Sequence, residues 1–381
     1  MSIRTNSSIV NTLTASLLSQ CDLIYQMAKT QQTSNFVISP IALRSLLAIL
    51  SIASIKKSHK ELLAMMGFQN SYHGIQEYKA CRNASKDEFV FTVHNAFYVA
   101  AHLDLSMSFK TICLDNFQTR IENMDFHNRE EAKNRVNNWI AEQTEGHIAT
   151  RLTANALTDT EDSLLINIAR FESKWKKSFP KKLLTKEDFW ITPKENVKVT
   201  MMHDFCEIPI GQLNNLKATA MLVPYRNVSV SLFILFPNEI DGLARLEDEL
   251  QRQRVDITSV AMTLKPKCIK LGLPKFKLEC DIDMQPVLKD LGVKAIFSEN
   301  MDFVRLLSSL GVMKISQLRQ IAAVEINDDG TNESSTKVSF LLSEGENCSL
   351  LEINHPFFFA IMDEERIYYG GHITNTSNFL E

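Results

Sequence analysis

None of the short motifs that announce catalysis occurs in these 381 residues. There is no GxSxG elbow, no HExxH pair and no GxGxxG loop. A Gly-Lys dipeptide is missing altogether, which excludes an ordinary phosphate-cradling P-loop. The chain is therefore expected not to be an enzyme. Paired cysteines are missing too. The seven cysteines (Cys21, Cys81, Cys113, Cys206, Cys268, Cys280 and Cys348) are odd in number and scattered singly. That pattern argues against a disulfide scaffold and for a reducing compartment. No apolar run reaches membrane-spanning length. Met1 to Gln20 lacks the charged start and unbroken apolar stretch of a signal peptide; Ile9, Leu13, Leu17 and Ile24 instead mark an amphipathic helix. A cytoplasmic protein is expected, with export by an unconventional route left open. Lysine and arginine form no long block and the net charge is −4, so nothing in the whole chain recruits nucleic acid or an anionic membrane.

What is present is a globular composition, 45% apolar and 23% charged, long enough to bury a sizeable core. No repeat, low-complexity stretch or Pro/Gly/Ser-rich linker divides it, so one domain over residues 1–381 is expected, as a monomer. The first third reads as helical. Ile41 to Leu50 is strongly apolar, Glu61 to Met66 stops at Gly67, and Glu130 to Gln143 stops near Gly146. Phe89 to Val99 alternates as a strand does. From Leu164 strands take over: Leu164 to Ile166, Val197 to Met201, and Ser229 to Phe236 between Pro224 and Pro237. Asp283 to Leu291 reads as a helix capped by Gly292, and Phe357 to Ile361 with Arg366 to Ile373 as a hairpin. Helices and strands without a βαβ rhythm mean an α+β fold. Asn327 to Asn347 stands out as a long polar, acidic loop, and loops of that length inside a compact domain are usually functional. The nine histidines are scattered; His203-Asp204 and His355-Pro356 alone have notable neighbours, and neither offers a metal or triad spacing.

Several blocks follow one another in a familiar order. Phe36-Val37-Ile38-Ser39-Pro40 precedes an apolar helix. Asn95-Ala96-Phe97 follows, then Asn137, Trp139, Thr144, Gly146 and Ile148, then Leu165-Ile166-Asn167 with Phe171 and Trp175. Val223-Pro224-Tyr225, Phe236-Pro237, Leu273-Pro274-Lys275-Phe276, Leu291-Gly292 and His355-Pro356-Phe357 complete the series. Taken together, from about residue 35 to residue 374, they resemble the serpins. The resemblance implies helices around three β-sheets, with a large central mixed sheet and an exposed reactive-centre loop. It implies a suicide substrate for a target endopeptidase of serine or papain-like cysteine type. The cut loop would insert into the central sheet as a new strand. No cofactor is implied.

The resemblance also assigns residues. Ser39, Pro40, Asn167 and Gln320 fall in the shutter and Trp175 in the breach. Asp328, Asp329, Gly330 and Thr331 form the hinge, followed by Glu333 and Ser335. Counting from Gly330 places the reactive bond at Glu344-Gly345, where an acidic residue suits a protease with a basic pocket; Phe340-Leu341-Leu342 offers a papain-like protease an apolar patch. No proline occurs between Pro286 and Pro356, so the whole loop could become a strand. Against this stands parity. If Thr331 faces inward after insertion, so do Glu333, Ser335 and Lys337. An unpaired buried charge costs several kcal/mol, and Glu333 and Lys337 would lie roughly 13 Å apart along the strand. A non-inhibitory serpin, serving as a binding or chaperone-like protein, is the second expectation. Other departures from the family pattern are Ala42 for serine, Gln320 for histidine, Ala53 and Lys56 for glycines, and Arg170 and Ser173 for tyrosine and glycine.

Overall fold

The computed structural model describes residues 2–84, 89–149, 151–158, 160–226, 228–298, 303, 305–308, 313–331 and 348–380. Among these, the helices are α1 (Ser2–Thr30), α2 (Pro40–Ala53), α3 (Lys56–Met66), α4 (Ser71–Ala84), α5 (Met107–Phe117), α6 (Arg129–Gln143), α7 (Leu243–Arg252), α8 (Ile257–Thr263) and α9 (Gln285–Asp290). The strands are β1 (Phe36–Ile38), β2 (Phe89–Ala100), β3 (Arg120–Met124), β4 (Ser163–Lys174), β5 (Leu184–Thr192), β6 (Glu195–Leu213), β7 (Ala218–Pro224) and β8 (Ser231–Pro237). They continue as β9 (Lys265–Pro274), β10 (Phe276–Asp283), β11 (Gln317–Ile326), β12 (Gly330–Thr331), β13 (Ser349–Glu352), β14 (Phe357–Met362) and β15 (Ile367–Ile373).

One sheet runs β10-β11-β4-β2-β3, with β12 added on β4. It is mixed: β4 is parallel to β11 and antiparallel to β2. The other strands join in the order β1-β15-β14-β8-β7-β6-β9-β13, with β5 also on β6. Three sheets were expected, and two of them are here continuous because β6 serves both. Its first part pairs with β5 and β9, and its end, from Ile210 to Leu213, with β7. The α+β architecture is as expected.

Helix α2 explains how the two sheets share one core. Its sequence, PIALRSLLAILSIA, is apolar on every side, and almost every residue is buried. A helix without a polar face belongs inside a protein. Ser39 caps it and Pro40 opens its first turn, where a missing N–H costs nothing. The one charge in it, Arg44, is 1% exposed and held by both carboxylate oxygens of Glu77 on α4, at 2.9 and 3.0 Å. Strands β8 and β14 are buried on both faces, as their unbroken apolar runs require. Gly67 ends α3 in the left-handed conformation at φ 66°, as expected. Lys56 is held at φ 50°, a region costing a side-chain-bearing residue roughly 1 kcal/mol.

Two expectations need correction. The helix expected over Asp283 to Leu291 is confined to Gln285–Asp290: Met284 is its N-cap, and Pro286 fixes the first turn. The cysteines are not all single. Cys268 and Cys348 form a disulfide across 80 residues, while five remain free. The pairing was illegible because it joins β9 to the residue before β13, which only the parallel β9–β13 register brings together. It weighs against the reducing compartment expected from cysteine usage. Burial pushes the Cys21, Cys113 and Cys206 thiols up to about 12, which leaves them poor nucleophiles toward that bond.

Candidate functional site: the split between β4 and β11

Strands β4 and β11 are bonded to each other only along part of their length. Their parallel pairing runs from Gln317↔Leu164 to Ala323↔Arg170 and stops there. Beyond it, β11 keeps its partner β10 as far as Ile326, opposite Phe276. The edge of β4 is taken instead by β12, antiparallel, with Gly330 opposite Lys174 and Thr331 opposite Ser173. The chain leaving β11 therefore turns back at once and starts a new strand on β4, at the mouth of the split.

The turn is held from below by the breach. Trp175 is fully buried and stacked on Tyr225, with ring centroids 4.6 Å apart and planes 8° from parallel. Its indole Nε1 donates to the Asn327 carbonyl at 2.8 Å, and its backbone N–H to the Asp329 carbonyl at 3.1 Å. Phe179 N–H donates to the Asp328 carbonyl at 2.9 Å. Lys275, just after β9, donates to Asp328 Oδ1 at 2.8 Å. Burial pushes the Asp328 carboxyl up, but the Lys275 hydrogen bond and charge outweigh it and hold the group below the usual carboxylate range.

Below the split, where β4 and β11 are paired, lies a polar seam in an otherwise apolar interior. Gln320 of β11 and Asn167 of β4 are register partners, and Gln320 Nε2 donates to Asn167 Oδ1 at 2.6 Å. The same amide donates to the Ser39 carbonyl at 2.9 Å and accepts from Ser39 N–H at 2.8 Å. Asn167 Nδ2 donates to Asn95 Oδ1 at 2.7 Å and to the Ala42 carbonyl at 3.0 Å. Asn95 Nδ2 passes the chain on to Ser45 Oγ at 3.0 Å, and Ser39 Oγ donates to the Tyr368 carbonyl at 2.6 Å. Ser39, Asn167 and Gln320 are each no more than 1% exposed. Buried amides survive only when bonded this fully. Gln320 thus bridges Ser39 and Asn167 with its two polar ends, and Ala42, lacking a hydroxyl, contributes its carbonyl.

A profile of the family described as Serpin (serine protease inhibitor) matches residues 20–376. The chain belongs to the serpin family. Among curated relatives, "Serine protease inhibitor 42Dd" of Drosophila melanogaster is 25% identical over 358 residues, covering 92% of this chain and 94% of its own. "Serpin B4" of Homo sapiens is 24% identical over 375 residues, covering 92% and 95%. The structure of Serpin48 from Tenebrio molitor superposes with a TM-score of 0.86 at 24% identity, covering 96% of this chain and 98% of that one. Uncleaved ovalbumin gives 0.86 at 20%, covering 95% and 99%. These structures show the serpin fold, and the Drosophila relative is named as a serine protease inhibitor.

Of the sequence-derived shutter and breach residues, Ser39, Asn167 and Gln320 are joined by hydrogen bonds, Pro40 opens the helix that Ser39 caps, and Trp175 stands apart from them under the turn that leads to β12. Asp328 and Asp329 stand at the mouth of this serpin's split, and Gly330 and Thr331 pair within it. Glu333, Ser335, Glu344 and Gly345 lie outside the described residues. Sequence reasoning missed Asn95, Ser45, Lys275 and Tyr225. Asn95 sits inside a block already singled out, and Lys275 beside Pro274 in another, but neither pattern says what the side chain touches. His203, set aside as a lone histidine beside Asp204, bonds Glu187 instead, while Asp204 pairs with Lys177.

Proposed function

We propose that this serpin inhibits an endopeptidase as a suicide substrate, the loop being cut at Glu344-Gly345 and its hinge end inserting between β4 and β11. The observation that carries the reading is the pairing of Gly330 and Thr331 with β4, antiparallel, in the unpaired upper part of the split. Insertion would extend a strand that has already begun, with Gly and Thr where a turn must become a strand. Continuing that register sets Glu333 opposite Phe171, Ser335 opposite Ala169 and Lys337 opposite Asn167. Lys337 would meet the amides of the polar seam. Glu333 would meet aromatic rings, yet the ring of Tyr369 is 6.1 Å from that of Phe171 and its buried hydroxyl has no hydrogen-bond partner among the described residues. A carboxylate arriving there would find a donor.

The second reading, a non-inhibitory binding protein, is favoured by the same Glu333, since a phenol is a weaker partner for a carboxylate than a cation is. The two separate in one experiment. The protein is incubated with proteases preferring an acidic residue, and with papain-like proteases preferring an apolar one. A complex surviving boiling in detergent supports inhibition; clean cleavage of the loop by every protease, with no such complex, supports the binding role. The Cys268–Cys348 bond favours action in an oxidising setting, outside the cell rather than in the cytoplasm.

A further inference from the structure

On the second sheet, away from the split, three side chains from three strands converge. Glu187 lies on β5, His203 on β6 and Glu352 on β13, the strand that follows the loop. His203 and Glu352 both flank Gly272 of β9 in register, while Glu187, whose register partner on β6 is Val199, reaches His203 from the neighbouring strand. A Cβ at position 272 would lie 2.9 Å from His203 Cε1, 3.2 Å from His203 Nδ1 and 3.0 Å from Glu352 Cγ. The two side chains lean over the bare glycine, and only glycine leaves them that room.

The His203 side chain is buried, 7% exposed. Its Nε2 lies 2.7 Å from Glu187 Oε1, while Nδ1 is buried without a hydrogen-bond partner among the described residues. The 2.7 Å between His203 Nε2 and Glu187 Oε1 is close to the spacing of two ligands on one ion, so a metal taking the place of the proton they share would be held by both. One donor atom from each of Glu187, His203 and Glu352 can be chosen so that all three lie within 4.8 Å of one another. Ligands about 2.0–2.2 Å from a metal sit some 3–3.5 Å apart, so small side-chain movements close the set.

We propose that Glu187, His203 and Glu352 form a divalent-metal site of the zinc class. Two carboxylates balance the charge of the ion, one imidazole supplies the nitrogen such ions prefer, and three protein ligands leave a fourth position to water. Thr185 Oγ1 donates to Glu187 Oε1 at 2.7 Å and orients that carboxylate. Lys270, whose charge also acts on Glu187, is the cation the metal must displace or share with. Because Glu352 belongs to β13, the ion would fasten the loop's exit strand to the body of the sheet, at the opposite end from the Cys268–Cys348 bond. The site is independent of the proposed inhibition and stands or falls without it.

The test uses the intact, disulfide-bonded chain, stripped with a chelator and titrated with Zn²⁺ alone by calorimetry. One ion per chain is expected, with affinity lowered tenfold or more by Glu352→Gln and by Glu187→Gln, and lost in His203→Gln. Glu352 is only half-buried, so Glu352→Gln keeps the fold if His203→Gln does not. Hydrogen exchange of residues 349–352 is expected to slow on adding Zn²⁺ and to be unaffected by it in Glu352→Gln. Absence of stoichiometric binding overturns the proposal. So does binding that survives Glu352→Gln but falls in Cys206→Ser or Cys280→Ser, which would place the ion on a partly exposed thiol.

Discussion

The bond between Gln320 and Asn167 is the point at which insertion of a strand has to break the native sheet. Neighbouring strands lie about 4.8 Å apart, so a strand placed between β4 and β11 moves them to roughly 10 Å. A hydrogen bond now 2.6 Å long cannot survive that. Replacing Gln320 by leucine removes three bonds, but the Ser39 carbonyl still accepts from Leu43 N–H at 3.0 Å. Two groups are stranded in the interior, the Ser39 N–H and Asn167 Oδ1. At about 1–3 kcal/mol for each unsatisfied buried group, Gln320→Leu is expected to cost the uncut protein roughly 2–6 kcal/mol. The part belonging to the seam itself comes from a double-mutant cycle with Asn167→Ala, read by guanidinium unfolding. A coupling of about 1 kcal/mol is expected in the uncut protein. After the loop is cut, the coupling falls to zero while the cost of losing the Ser39 bonds remains. Equal couplings in the two forms would refute the reasoning, since the two strands would then still be neighbours.

Three further outcomes follow from the same geometry. Tyr369→Phe removes a hydroxyl with no hydrogen-bond partner among the described residues, so melting before cleavage should be unchanged; melting after cleavage should fall if Glu333 comes to rest there, and an identical melting temperature contradicts that placement. Cleavage at Glu344-Gly345 separates residues 1–344 from 345–381, yet Cys268 and Cys348 lie on opposite sides of the cut. The cut protein is therefore expected to run as one band without reductant and to shed a short C-terminal peptide with it; a peptide released without reductant shows that the pair is not formed. The Asp328 carboxyl is held below its unfolded value, so its contribution is present at neutral pH and lost as pH falls through the lowered folded value. Asp328→Asn should flatten the fall in melting temperature below about pH 4, and acid limbs of equal slope would contradict the role given to Lys275.

Much of this site was legible because it rests on backbone and parity. The apolar run Ile41 to Leu50 announces a buried helix, and Ser39-Pro40 announces its start, so half of the shutter is placed by local chemistry alone. Asn167 inside Leu164 to Ile168 is visible as a polar residue in an apolar strand, which must find partners. Who those partners are depends on long-range register: Gln320 is 153 residues from Asn167, and Ser39 is 281 from Gln320. The same holds for Cys268 with Cys348 and for Glu187, His203 and Glu352, which adjoin only because β5, β6, β9 and β13 lie side by side. His203 was set aside as a lone histidine beside Asp204; its carboxylate partner is Glu187, on another strand, because neighbours along a strand face opposite sides of the sheet. The join between two expected sheets escaped notice for a related reason, since nothing in β6 marks where one set of partners gives way to another.

The central claim is that the cut loop completes the strand begun by Gly330 and Thr331. It is tested most directly by thermal unfolding before and after nicking the loop between Leu341 and Gly345 with a protease that the serpin does not trap. The account predicts a rise in melting temperature of tens of degrees, as the split between β4 and β11 is filled. An unchanged melting temperature after complete nicking would contradict it, and would leave the fold of an inhibitor without its trap.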